Sequence, residues 1–219
     1  ATRSIKESVE SNPDLKSETS QGVELGVRYF TAFSRLSLAV FHTDYDDFIE
    51  SRVLVGFDPA TGDLIFQSRN IDNARIKGVD LRWEQNLGAW SGHFEGWALD
   101  LAAWWAKGEN RQNGQPLNEI APPQAILGVR WSPQDLRWDL GAAATFTAAK
   151  HASDIDMSLE KRFATPSWTT FDLTAGWRPA EHLEVRAGVF NLFDETYWRW
   201  LDVARLDADN PMIPLLSRP

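Results

Sequence analysis

Apolar and polar residues alternate one for one through most of this chain. Leu183, Val185, Ala187 and Val189 fall on one face of a stretch whose other face carries Glu184, Arg186 and Gly188. The same period runs through Val23, Leu25, Val27 and Tyr29, and again through Leu99, Leu101, Ala103 and Trp105. A period of two predicts β-strands with one apolar and one polar side. Strands are expected at 23–29, 36–48, 73–86, 93–107, 125–131, 136–147, 168–178 and from 183 onward. In 36–48 the apolar side is open between Leu36/Leu38/Val40 and Ala39/Phe41/Tyr45.

The connections alternate in length. Turns of about five residues or fewer, at 31–35, 87–91, 132–135 and 179–182, alternate with much longer loops at 51–71, 108–122 and 148–166. The first long loop carries Asp58-Pro59-Ala60-Thr61-Gly62-Asp63 at its tip, a hairpin-like turn signal. Soluble sandwiches have no reason to sort loop lengths so regularly. Outer-membrane barrels do, with short periplasmic turns and long extracellular loops. The fold class expected is all-β: about eight antiparallel strands of a transmembrane β-barrel.

The polar sides carry Glu24, Arg28, Asp80, Arg82, Glu84, Asp100, Arg130, Asp139, Asp172, Arg178 and Arg186. A small closed barrel filled by its own side chains has no room for them, so the strands are expected to belong to a larger, wet or plugged barrel. Eleven tryptophans are present. Trp83, Trp90, Trp131, Trp138 and Trp177 flank the short turns, while Trp104, Trp105, Trp168 and Trp198 lie near the long-loop ends, as two interfacial girdles would. With 22 Lys+Arg against 31 Asp+Glu the net charge is −9, which argues against a nucleic-acid partner. No cysteine is present, so thiol chemistry and disulfides are excluded.

Three motifs sit within this pattern. The strand from Leu183 ends in Asn191-Leu192-Phe193-Asp194, followed by Tyr197-Trp198-Arg199-Trp200. Near the start stands Asn12-Pro13-Asp14-Leu15, then Lys16-Ser17-Glu18-Thr19, and Asn73 precedes Gly78-Val79-Asp80. Together they resemble the C-terminal barrel of TonB-dependent outer-membrane receptors. The aromatic continuation is similar to the haem/haemoglobin (haemoglobin/transferrin/lactoferrin) receptor branch. Asp14 and Ser17 depart mildly from the family's usual Asn and Pro.

The resemblance implies a barrel of about twenty-two strands around a plug. Residues 1–219 would form a partial C-terminal barrel domain, without the plug or the final strand, and Ser217-Arg218-Pro219 would stand where that strand begins. It further implies active transport across the bacterial outer membrane, with haem as the transported ligand and no covalently bound cofactor. Its partners would be the bilayer and outer-leaflet lipid, the TonB energy-transducing complex, and haem or a haem-carrier protein. Siderophore or cobalamin import is the neighbouring alternative. A soluble, tryptophan-rich carbohydrate-binding β-protein is the alternative from another class.

Candidate ligand residues follow. If the last strand continued, Trp198 and Trp200 would share a side and Arg199 would face the lumen. Its guanidinium could then pair with a haem propionate, or instead order the loop through Asp194, Glu195 or Asp202. Tyr197, Trp198 and Trp200 would present ring faces to a ligand or carrier, or serve as girdle and loop anchor. His151, in a long loop, is physically able to ligate haem iron, a solvated loop histidine being the plainer reading. Asp44, Asp46, Asp47 and Glu50 lack the spacing of a calcium loop and read as an acidic rim, so no metal site is expected. No catalytic motif is found, and no enzyme activity is expected.

Overall fold

A computed structural model describes residues 7–61, 63–133, 137–158 and 161–219. Among the described residues nine strands form a single sheet: β1 (Glu7–Glu10), β2 (Thr19–Phe30), β3 (Ser34–Phe57), β4 (Leu64–Asn86), β5 (Trp97–Asn110), β6 (Gln124–Trp131), β7 (Trp138–Thr147), β8 (Trp168–Ala180) and β9 (Leu183–Val189). From β2 to β9 the order in space is the order in sequence, every neighbouring pair being antiparallel. The sheet is open, with β2 and β9 at its edges. Among the described residues no helix is long and apolar enough to cross a membrane.

The ladder fixes which side chains share a face. Val27 pairs with Leu38, Leu38 with Leu81, Leu81 with Ala103, and Ala103 with Ala125. Directly opposed residues point the same way, so the apolar side of β3 is Leu36, Leu38 and Val40. Ala39, Phe41 and Tyr45 lie on the polar side. Phe41 faces Gly78, where an added Cβ would come 2.5 Å from the Phe41 ring and 2.6 Å from the Trp105 carbonyl oxygen. Only a residue without a side chain lets that ring lie flat over β4.

Burial separates the two ends of the molecule. On the apolar face Val23 is 75% exposed and Leu25 69%. The buried apolar residues, among them Phe48, Val53, Phe66, Leu117, Ile155, Trp200 and Val203, sit instead at the long-loop end. Water covers that end, so the loops need a core there. The exposed apolar belt is the surface a bilayer covers.

Several expected boundaries shift. Residues 51–57 and 64–71, expected in a loop, are ladder: β3 and β4 run on to a turn at Asp58–Asp63, with register shifts between Glu50 and Val53 and between Leu54 and Gly56. Val53 and Phe66 are buried there, which rewards continued pairing. The turn expected at 87–91 extends through Gly96, so β5 starts at Trp97 rather than His93. Asn86 and Ser91 accept hydrogen bonds from Gly88 N–H and His93 N–H, building two 3-10 turns, and Gly96 takes a positive φ of 80°. β7 begins at Trp138, while the expected start at Leu136 lies outside the described residues. The turn expected at 179–182 shrinks to Glu181–His182.

β1 was not expected as a strand. It runs parallel to β4, Glu7 pairing with Leu64 and Glu10 with Gln67. The Asn12 motif holds it there. Asn12 closes the turn by accepting from Asp14 N–H at 3.0 Å, and its amide donates to the Ser68 carbonyl at 2.9 Å. Asn70 grips the following residues, accepting from Lys16 N–H at 2.8 Å and donating to the Lys16 and Asp47 carbonyls. Asp44, one of the acidic-rim residues, bonds Arg75 at 2.8 Å with Arg111 3.7 Å away.

The tryptophans sort by face. Trp83, Trp97, Trp131, Trp138 and Trp177 share the outward face near the short turns, Trp138 and Trp177 stacking at 5.6 Å. Trp97 joins a girdle in which it was not expected. Trp105 is outward near the long loops, but Trp104 and Trp168 point inward, because neighbouring strand residues take opposite faces.

Candidate functional site

The strand from Leu183 stops at Val189, and the four residues after Phe190 turn the chain. Asn191 and Asp194 adopt positive φ, 50° and 54°. Such values are tolerated by Asn and Asp, whose short polar side chains bond locally. Asn191 Oδ1 accepts from Glu195 N–H at 3.1 Å, its amide donates to the Glu195 carbonyl at 2.9 Å, and Asp194 N–H donates to the Asn191 carbonyl. The turn is tied to β8 as well. Asn191 N–H donates to Asp172 Oδ1 at 2.8 Å, Leu192 N–H to the Phe171 carbonyl at 2.7 Å, and Phe193 packs edge-on against Phe171.

This reversal separates the aromatic cluster that a continued strand would have aligned. Tyr197 stacks on inward-facing Trp168 at 4.2 Å. Trp198 donates through Nε1 to the Ile213 carbonyl at 2.8 Å and meets Phe163 edge-on. Trp200 opens the short helix α1 (Trp200–Val203) and is 2% exposed, its Nε1 donating to the Asn118 carbonyl at 2.7 Å. Around it pack Ile155, Ala204, Ala121 and Met157. Trp200 is therefore a loop-core residue and Trp198 a half-buried loop residue, rather than one side of a ribbon.

Arg199, between them, is exposed. Of the acids expected to compete for it, Asp202 is taken by Arg218 at 2.8 Å, and Arg199 forms no ion pair among the described residues. It borders a hollow of about 740 Å³ on the inner side of the wall, lined also by Trp104, Gln124, Thr147, Trp168, Asp172 and Tyr197. A cation, a phenol and indole rings thus share one open recess, a combination suited to a flat, acidic, partly apolar ligand. His151 is exposed and lines a separate hollow of about 280 Å³ with Lys107, Glu109 and Asp154. The structure does not bring it together with Arg199.

Ionisable groups are built into the loop core beside this recess. Lys150 is 6% exposed, donates to the Ile120 carbonyl at 2.7 Å and lies 5.2 Å over the Trp200 ring. Burial pulls its ammonium below the usual lysine value, Asp154 and Glu119 opposing. Glu119 has an Oε2 closed off without a hydrogen-bond partner, and burial above all raises its carboxyl. Sequence reasoning missed Trp104, Trp168, Glu119 and Lys150. The Trp104-Trp105 doublet held a signal, since adjacent strand residues cannot both face lipid.

Comparison with known proteins places this architecture. The sequence model of the family described as TonB dependent receptor-like, beta-barrel matches residues 4–192. Hemoglobin and hemoglobin-haptoglobin-binding protein A of Haemophilus influenzae is 30% identical over 213 residues, covering 90% of this chain and 20% of that protein. Hemoglobin-haptoglobin utilization protein B of Neisseria meningitidis serogroup C is 29% identical, covering 88% of this chain and 27% of that protein. The chain thus spans a fifth to about a quarter of the length of these relatives. Among solved structures, the copper transporter OprC superposes with a TM-score of 0.72 at 22% identity, covering 86% of this chain and 28% of that one. The ferric enterobactin receptor of Pseudomonas aeruginosa gives 0.63 at 23%, covering 84% and 27%. The soluble carbohydrate-binding alternative is set aside by these matches. An open meander with an exposed apolar belt, short turns at one end and packed loops at the other is part of a larger outer-membrane barrel, and the chain belongs to the TonB-dependent receptor-like β-barrel family.

Proposed function

We propose that this chain forms part of the wall and extracellular vestibule of a receptor that imports haem iron, taking it from a haemoglobin-type carrier. In this reading the plug and the segment engaging the TonB complex lie elsewhere in the receptor polypeptide, and that complex supplies the energy. The relatives' names, one a haemoglobin- and haemoglobin–haptoglobin-binding protein and the other a haemoglobin–haptoglobin utilization protein, support the substrate class. The observation that carries the local reading is Arg199, exposed beside Tyr197 in the hollow under the loops. A haem edge carries carboxylates and its faces are apolar. The guanidinium would take a propionate through charge-assisted hydrogen bonds, and the Tyr197–Trp168 stack would border the ring.

Arg199→Ala in the receptor carrying this chain should lower haem uptake about tenfold, the scale of one lost charge-assisted hydrogen bond. Barrel assembly, followed by heat-modified gel mobility, should be unchanged. Uptake that survives, or assembly that fails together with it, would make Arg199 structural. Ferric siderophore import is the second reading, and growth on haemoglobin against growth on a ferric siderophore as the iron source separates the two.

A further inference from the structure

We infer that a ligand leaving the Arg199 recess travels down the inner face of β6 and β7, through a second hollow lower on the same wall. This route presupposes the import reading proposed above and adds the path to it. The inward pairs of the two strands, taken from the loop end downward, are Gln124/Thr147, Ile126/Thr145 and Gly128/Ala143. The side chains shrink along that descent. Trp104 and Trp168 flank the first pair, three strand spacings or roughly 14 Å apart between backbones. Asp100 and Asp172 flank the third.

Two hollows meet along this trough. The upper one is the recess of about 740 Å³ that Arg199 borders. The lower one, of about 490 Å³, is lined by Gly128, Ala143, Gly141 and Thr174. Ile126 and Asp172 line both, so the two adjoin on the wall itself. Ile126 is inward yet 38% exposed, an aliphatic surface offered between them to a partly apolar ligand.

The lower hollow is built to pass a ligand rather than to hold it. Its glycines let neighbouring polar side chains lie along the wall: a Cβ on Gly141 would come 2.6 Å from Thr174 Oγ1, and one on Gly128 3.4 Å from Asp100 Cβ. Its charges are matched among themselves. Arg130 bonds Asp100 at 2.6 Å and lies 3.3 Å from Glu84, which is also 3.7 Å from Arg35. Arg199 above has no such match among the described residues, so an acidic ligand is held there and finds no free cation of comparable kind below. Across the lower hollow, at the same levels, β2 to β4 carry Arg28, Arg82, Phe30 and Arg35, and the open floor is confined to β6 and β7.

The test uses the full receptor with inward residues made larger: Ala143→Leu and Ala143→Trp in the passage, and Ala39→Trp, inward on β3 but outside both hollows. Haemoglobin binding to whole cells, energised haem uptake and heat-modified mobility are measured for each. Binding and assembly should match wild type throughout. Uptake should fall with side-chain size at position 143, to about a tenth in Ala143→Trp, the scale of one overpacked position on a crossing barrier. Ala39→Trp should keep its uptake. Wild-type uptake in Ala143→Trp would overturn the route, as would equal losses in Ala39→Trp and Ala143→Trp. Binding lost together with uptake would make the lower hollow a holding site and overturn the passage. If Ala143→Trp fails to assemble, Ala143→Leu decides by the same outcomes. The series is repeated with a ferric siderophore as the iron source. A wild type that imports the siderophore and not haem sinks the haem reading, and the route is then judged on siderophore uptake.

Discussion

Single residues in the loops are poised in ways that make their pH response specific. The Glu119 carboxyl is held above its ordinary value of 4.5, mainly by burial, the Glu50 charge adding to the effect and Arg205 and Arg162 opposing it. The folded chain therefore keeps this proton more tightly than the unfolded one. Its contribution to loop stability is complete below about pH 4.5 and is lost as pH rises through the raised folded value. Lys150 runs the other way. Lowered by burial, it contributes fully above its ordinary value of 10.5 and loses that contribution as pH falls through the folded value. Glu119→Gln keeps the shape and removes the first dependence. Hydrogen exchange of amides near Asn118 and Trp200 should slow in this variant at about pH 7 relative to wild type. The difference should shrink toward about pH 4.5, and a constant offset would contradict the assignment.

At the scale of an element, β8 tests the two faces against each other. Leu173 is outward and Asp172 inward, one residue apart. Leu173→Arg should cost about 2–4 kcal/mol if it lies near the midplane. Asp172 is more than a wet wall residue, since its Oδ1 receives Asn191 N–H. Asp172→Asn keeps that acceptor and should be nearly neutral, whereas Asp172→Ala should cost about 1–3 kcal/mol. Denaturant unfolding in detergent measures all three, and equal costs for Arg at 173 and Asn at 172 would refute the faces. These faces were readable in the sequence because lipid and lumen impose opposite polarity on successive residues. Above the bilayer that contrast disappears, so the ladder at 51–57 and 64–71 read as loop. The parallel strand β1 was hidden for another reason: its partners lie far along the chain, Glu7 against Leu64, where local pattern carries no information. The fate of Trp198 and Trp200 turned on positive φ at Asn191 and Asp194. Those two residue types were the available hint that the strand would not continue.

For the whole molecule, stability depends on what lies against the sheet rather than within it. The apolar belt has no protein covering, and the edges of β2 and β9 present backbone groups that a closed barrel would pair. Expressed as these 219 residues alone, the chain should aggregate in water and recover poorly even in detergent. Size-exclusion chromatography with circular dichroism decides this, and a β-rich, monodisperse monomer without detergent would contradict the membrane assignment. The legible part of the candidate site follows the same logic. Tyr197 and Arg199 were identified from sequence and do meet at one hollow, whereas its Trp104 and Trp168 walls emerge from the ladder register, which puts both on the inner face.

The β3–β4 hairpin continues roughly 40 Å along β4 past the His42–Lys77 pair before it turns. Its tip is held by Asp58, which accepts from Ala60 N–H at 2.8 Å and from the Thr61 hydroxyl at 2.9 Å. Carried that far along a ladder that β1 joins as a third strand, this turn stands well clear of the apolar belt. Anything large that arrives from outside the cell would meet this turn before it met the hollow under the loops.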